Sequence, residues 1–326
     1  MSNDHQRIAT LSDRMYVEGV YSLVNPQLGQ TRTNKPFLKC VIRDASGEIT
    51  ARAWSFEEAQ FEQIAGAGFV FLRGSTQAYQ GQLQLIIEQI EPREVTAEEM
   101  LALLPSTSKD IGAMFGRVCE LLRSMEHPAM RALAEQYLSD ERLMEDFRQA
   151  PAAMSVHHGW IGGLLEHTHQ LMELADRMLP LYPGLNRDLV LFSLFIHDLG
   201  KTVELSWDQG FQYTNEGQLI GHIVRGAVWL QVKAAQASRA EPDAKLPGDT
   251  LRVLQHILIS HHGVPEHGAA KVPATPEAVF VAMLDNLDAK AQAALSAAKR
   301  EFAGGGEWTD RVFALDTKLY RPDPLM

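Results

Sequence analysis

His197 and Asp198 stand side by side at the end of the apolar run LVLFSLFIHDLGK, and ten of the chain's twelve histidines fall between His157 and His267. An imidazole and a carboxylate buried where an apolar helix ends are costly to desolvate unless something positive pairs with them. A divalent metal ion does so directly. The chain must therefore fold so that polar ligands from separate segments meet around a cation inside an otherwise apolar core.

With 326 residues, 45% of them hydrophobic, there is enough apolar surface for a substantial core, and the length suggests two domains. The N-terminal stretch MSNDHQRIATLSDR has no apolar leader, and no run approaches about eighteen uncharged apolar residues, so the expectation is a cytoplasmic protein with no membrane segment. Cys40 and Cys119 lie far apart outside any CxxC pattern, which fits buried thiols. A net charge of -11 argues against coating nucleic acid by bulk attraction. Residues 1–93 are nearly neutral, with 9 Lys and Arg against 10 Asp and Glu, and the remainder holds 21 against 31.

The first ninety residues read as strands. Met15 to Val24 is β-rich, and LKCVIRD and EITARAW flank Ala45-Ser46-Gly47, a hairpin signal with Asp44 placed to start the turn. A short helical pattern, FEEAQFEQIAGAG, follows, and FVFLRGSTQAY and QLQLIIEQI make a second hairpin around Gln80-Gly81. Three strands, a helix and two strands suit a five-stranded barrel of the OB type, with a generic small β-barrel as the rival. Beyond a connector rich in Pro, Ser and Thr, everything reads as helix. Gly159 to Leu179 carries Leu164, Leu171, Ala175 and Met178 on one stripe, Asn186 is placed to cap the helix that ends at Gly200, and Thr275-Pro276-Glu277 starts a helix reaching about Arg300. The expected fold class is multidomain α and β: an OB barrel over residues 8–93, a linker at 94–110, an all-α domain at 111–302 and a tail at 303–326.

The candidate metal ligands, in chain order, are His167, His197, Asp198, His222, the pair His261 and His262, and Asp285. This mixture of imidazole and carboxylate suits Mn, Fe, Zn, Co or Ni better than Mg. Seven candidates exceed the needs of one ion, and two ions bridged by Asp198 would use them in the manner of a phosphoester-cleaving site. Any one of these residues alone would read as an ordinary core histidine or carboxylate. The ordered set does not.

GGLLEHTHQL, FIHDLGK, GHI, SHHG and MLDNLDA resemble the HD phosphohydrolase superfamily. The barrel ahead of them, including TRTNKPFLKCVIRDASGEITARAW, resembles the YhaM-type 3'-5' exoribonucleases, which pair an OB-fold with an HD domain. The resemblance implies that His167, His197, Asp198 and Asp285 bind a first metal, and that Asp198 bridges to a second held by His222 and by His261, His262 or both. It implies two divalent ions, Mn first among them. Asp288, one turn from Asp285, is a lesser candidate. Lys201 would reach from the helix end toward the metals, where an ammonium can hold a phosphate oxygen; with Asp198 it would carry catalysis. His157 and His158 are candidates for the substrate entrance, His169, His256 and His267 read as structural, and Glu166 is expected to face solvent because it points about 100° from His167 on a helix.

The metals would bring the pKa of a shared water toward neutrality and neutralise charge on the phosphate. The barrel argues for a polymer, since OB-folds stack bases on aromatics and run the backbone past basic groups. Here Phe37, Trp54 and Tyr79 are the candidate platforms, with Arg32, Lys35, Lys39, Arg43 and Arg52 around them. The expected function is a metal-dependent 3'-5' exoribonuclease on single-stranded RNA, with DNA and a homo-oligomeric state left open. The alternatives are an HD phosphohydrolase for a small or cyclic nucleotide whose barrel serves assembly or regulation, and a non-catalytic strand binder. The first alternative lacks the GYP signature after HHG, where this chain reads HHGVPEHG.

Overall fold

Asp44 shows how local chemistry sets the first half of the fold. Its carboxylate accepts from Ser46 N and Gly47 N at 2.7 and 3.0 Å, an Asx turn that joins strand β2 (Pro36–Asp44) to β3 (Gly47–Trp54). In this computed structural model, residues 5–31, 33–79, 82–96, 99–100, 103–154, 159–207, 210–299, 306–322 and 325 are described. Arg32, the expected Gln80-Gly81 turn, and His157 and His158 lie outside them.

Strand β1 (Tyr16–Gln30) is longer than the sequence pattern suggests. Asn25-Pro26 reads as a breaker, yet the strand continues through a register shift between Val24 and Gln27, with Asn25 at φ 49°. A bulge is where a proline can sit in a ladder and where a strand bends. The bend lets one strand pair with two partners: Tyr16–Ser22 runs along β4 (Phe69–Tyr79), and Ser22–Gln30 runs along β2. With β5 (Gln82–Pro92), which runs parallel to β3, the strands close in the order β1-β2-β3-β5-β4. This is a five-stranded barrel of the OB kind, with helix α1 (Glu58–Ile64) between β3 and β4. Val17, Tyr21, Leu38, Ile42, Ala51, Leu72 and Leu85 fill it.

The remaining chain is mostly helical: α2 (Ile111–Arg123), α3 (Pro128–Leu138), α4 (Glu141–Gln149), α5 (Gly163–Met178), α6 (Arg187–Ile196), the single turn α7 (Lys201–Glu204), α8 (Asn215–Leu219), α9 (His222–Ala240), α10 (Gly248–Ser260) and α11 (Pro276–Lys299). Helix α6 is buried on every side from Val190 to Ile196, as a sequence apolar at every position but Ser193 requires. Asn186 caps it by accepting from Leu189 N, and Thr275 does the same for Ala278 N at the start of α11. Phe192 and Phe195 pack edge-on against Tyr137. The α6 axis thus delivers its C-terminal His197-Asp198 into the middle of the helical core. Residues 306–322 fold back beside α11, with bridges Trp308↔Tyr320 and Val312↔Thr317 and Arg321 Nε donating to Ala298 O.

Barrel and helices meet through Phe69, Leu103, Leu104, Ile161 and Phe211. Arg43 corrects the expectation of a basic group open to a nucleic acid. It is 5% exposed and spends its guanidinium on Glu48 and on the carbonyl of Met154, between α4 and α5. Among the described residues no helix is long and apolar enough to cross a membrane.

Candidate metal centre

Five imidazoles and two carboxylates converge from α5, α6, α9, α10 and α11. Helix α5 supplies His167, the end of α6 supplies His197 and Asp198, the first residue of α9 is His222, the end of α10 supplies His261 and His262, and α11 supplies Asp285. Their ligand atoms fall into two groups, each within 4.8 Å: His167, His197 and Asp285 in one, Asp198, His222, His261 and His262 in the other. Asp198 lies between them. Its Oδ2 is 3.4 Å from His197 Nε2 and 3.8 Å from His167 Nε2, while its Oδ1 is 3.5 Å from His222 Nε2 and 3.6 Å from His261 Nε2.

In every one of the five imidazoles Nδ1 is engaged, and in His167, His197, His222 and His261 Nε2 faces Asp198. His197 Nδ1 donates to Leu194 O, His261 Nδ1 to Leu258 O and His262 Nδ1 to His267 O. His167 Nδ1 donates to Asp288 Oδ2 at 2.7 Å, and His222 Nδ1 donates to Glu204 Oε2. A carbonyl can only accept, so those rings carry their proton on Nδ1 and present the Nε2 lone pair. This is how metal-ligating histidines are oriented.

The electrostatics agree for His197 and His262. Burial pushes His197 down to about 4, and burial, aided by the His261 ring beside it, pushes His262 down to about 4, so both are neutral near pH 7. His167 differs: burial acts downward, but the Asp285 and Asp288 carboxylates outweigh it and push it up to about 9, so its Nε2 carries a proton toward Asp285 near pH 7 that a bound cation would displace. Burial would raise Asp198, yet Lys201 and His197 hold it well below the usual carboxylate range; Asp285 is likewise held low, chiefly by His167. Asp198 Oδ1, His222 Nε2 and His261 Nε2 are all buried without a hydrogen-bond partner among the described residues. Three unpaired polar atoms aimed at one point are expensive in a protein interior. The donor set fits a divalent transition metal.

The cluster floors a cavity of about 200 Å³, also lined by Ala152, Lys201, His267, Asn286 and Ala289. Lys201 Nζ reaches inward and donates to Asp198 Oδ2 at 2.7 Å. Opposite Gly200, a Cβ would lie 2.3 Å from His222 O, so glycine alone lets the start of α9 pack this close to the HD turn.

Two residues depart from expectation. Glu166 is buried instead of solvent-facing: it accepts from Thr107 Oγ1 and Trp160 Nε1 and pairs with Lys109. The helical angle away from His167 is as expected, but that face meets residues 105–107, which pair with Ile161, and Lys109 just beyond them. His267, read as structural, lines the cavity, while His256 accepts from Ala274 N at the foot of α11. Sequence reasoning missed Glu204. Its one signal was position, three residues past Lys201 in HDLGKTVE.

On the barrel, Phe37, Lys39 and Val41 alternate outward on β2, opposite Trp54, Arg52 and Thr50 on β3. Trp54 is 48% exposed, its ring 5.4 Å from that of Phe37, and Arg52 lies 5.9 Å from the Trp54 ring centre. Lys35 and Lys39 are exposed, and Tyr79 is exposed at the end of β4.

The HD domain family model matches residues 164–290, a span that holds all seven cluster residues. Curated relatives named 3'-5' exoribonuclease YhaM are similar over nearly the whole chain. The protein of Geobacillus sp. (strain WCH70) is 32% identical over 299 residues, 90% of this chain and 88% of its own. That of Listeria monocytogenes serotype 4b (strain CLIP80459) is 32% identical over 309 residues, 93% and 94%. That of Bacillus pumilus (strain SAFR-032) is 31% identical over 299 residues, 90% and 91%.

Proposed function

The chain belongs to the YhaM family of 3'-5' exoribonucleases, and we propose that it removes nucleoside 5'-monophosphates one at a time from the 3' end of single-stranded RNA, at a centre of two divalent ions of which Mn is the first candidate. The observation that carries this reading is the carboxylate of Asp198, with one oxygen turned to each of two ligand groups. His167, His197 and Asp285 would hold one ion and His222, His261 and His262 the other, with Asp198 shared between them. Bound there, the ions supply an activated water at neutral pH and charge for the non-bridging phosphate oxygens.

The chain's own groups do the rest. Lys201 stays protonated because the Asp198 carboxylate outweighs its burial, and its three donors can turn from Asp198 to a phosphate oxygen of the scissile linkage. Fixed donors aimed at developing charge in a water-poor site are worth far more than in bulk water. The strand itself is held on the outer face of β2 and β3: bases stack on Trp54 and Phe37, with Tyr79 as a further platform, and Lys35, Lys39 and Arg52 follow the phosphates. Arg32, His157 and His158 are further candidates for strand contact. The barrel over residues 8–93 is thus the binding part and residues 111–302 the hydrolytic part, joined by 94–110.

A 5'-labelled oligoribonucleotide incubated with the protein and Mn²⁺ should give a one-nucleotide ladder, and Asp198→Ala should abolish it while leaving strand binding by the barrel. A gel shift with no ladder, unchanged by Asp198→Ala, would refute the reading.

A further inference from the structure

Of the five inward-facing imidazoles, three rest their Nδ1 on backbone carbonyls and two on carboxylates. The two exceptions, His167 and His222, lie one in each ligand group. We propose that Asp288 and Glu204 are the positioning residues of the centre, one for each ion, and that they make the two metal positions separable. The proposal rests on the two-ion reading above.

Both carboxylates are already committed to a histidine. Asp288 is 1% exposed, and its two oxygens accept from His167 Nδ1 at 2.7 Å and Gln170 Nε2 at 2.6 Å. Both donors sit on α5, so Asp288 ties that helix to α11, three residues from the ligand Asp285. Glu204 Oε2 accepts from both the ring Nδ1 and the backbone N–H of His222, the latter at 3.2 Å. Glu204 ends α7, which leaves the HD turn immediately after Asp198, and Gly200 in that turn touches the His222 backbone. The segment Asp198–Glu204 therefore supplies the shared ligand and fixes the first residue of α9 as well.

A carboxylate behind a ligating histidine fixes its tautomer and ring angle and raises its basicity. Losing it typically costs about 10–100-fold in metal affinity. Here Glu204 acts through His222 and Asp288 through His167, so each loss falls on the position that its histidine serves.

The test is Mn²⁺ titration of the full chain by calorimetry, with paramagnetic resonance to tell a coupled ion pair from isolated ions. Wild type should take two equivalents as a coupled pair. Glu204→Gln, near-isosteric, should keep one equivalent at wild-type affinity and bind the second about 10–100-fold more weakly; Asp288→Asn should do the same for the other position. Superimposed on His222→Ala, Glu204→Gln should change nothing further, whereas superimposed on His167→Ala it should have its full effect. Additive losses in both backgrounds, or equal weakening of both positions, would overturn the proposal. A wild-type protein that takes a single equivalent would overturn the two-ion reading itself. Should one variant fail to fold, the other carries the same comparison.

Discussion

Asp198 is 2% exposed and surrounded by imidazoles and one ammonium. In the sequence it was conspicuous because a charge at the end of an apolar run has few inexpensive explanations. The other cluster residues stand out in the sequence only as an ordered set, since any one of them alone reads as an ordinary core histidine or carboxylate. Glu166 was misread because periodicity gives only an angle on the helix, and what covers that angle comes from residues far away in sequence. Lys109 and two hydrogen-bond donors outweigh its burial and hold its carboxylate below the ordinary range. A depressed folded pKa contributes stability that is complete above the unfolded value of about 4.3 and is lost as pH falls below it. Glu166→Gln should therefore flatten the acid limb of a stability-against-pH curve below that value and leave the neutral and alkaline limbs parallel to wild type. An unchanged acid limb would show that the pairing contributes nothing. At Lys201, substitution by Ala should lower kcat by about 10²–10³-fold, the scale of removing one charge-stabilising donor, without reducing metal content. A loss of Mn²⁺ in that variant would mean the lysine shapes the site instead of meeting substrate.

Turn chemistry was the most legible part of the elements. Asp44 at the β2–β3 corner, Asn186 before α6 and Thr275 before α11 all cap as their residue types allow. The exception is β1, where Asn25-Pro26 ends a strand in any local reading. It continues because barrel closure demands a strand shared between β2 and β4, a requirement no window of ten residues contains. Asp44 also accepts from Ile8 N and pairs with His5, drawing the N-terminal segment onto the barrel. Asp44→Ala leaves those donors without their acceptor and should cost about 2–3 kcal/mol, the scale for hydrogen bonds to a charged group, as read from urea unfolding. A change within about 0.5 kcal/mol, as at an ordinary surface site, would contradict this role.

Across the whole molecule, the net charge of -11 leaves little long-range attraction for RNA, so affinity has to come from a few local contacts. The exposed Trp54 beside Phe37 and the cations Lys35, Lys39 and Arg52 are the proposed contacts. Trp54→Ala should weaken oligonucleotide binding by about 1–3 kcal/mol, the usual worth of one stacked base, with metal stoichiometry unchanged. Binding should also fall with salt at a slope near -2, as about three phosphate contacts on a single strand would give. The sequence could propose barrel and helices separately, but their contact was not legible in it: Arg43, counted as a nucleic-acid contact, is instead buried on the Met154 carbonyl. The proposed hydrolysis depends on cations gathering at Asp198. The most direct measurement is anomalous diffraction from crystals grown with Mn²⁺. Two peaks are expected, one on each side of the Asp198 carboxylate, the first also within bonding distance of His167, His197 and Asp285 and the second of His222, His261 and His262. A map with no peak there, or with Mn²⁺ bound only elsewhere on the protein, would contradict it.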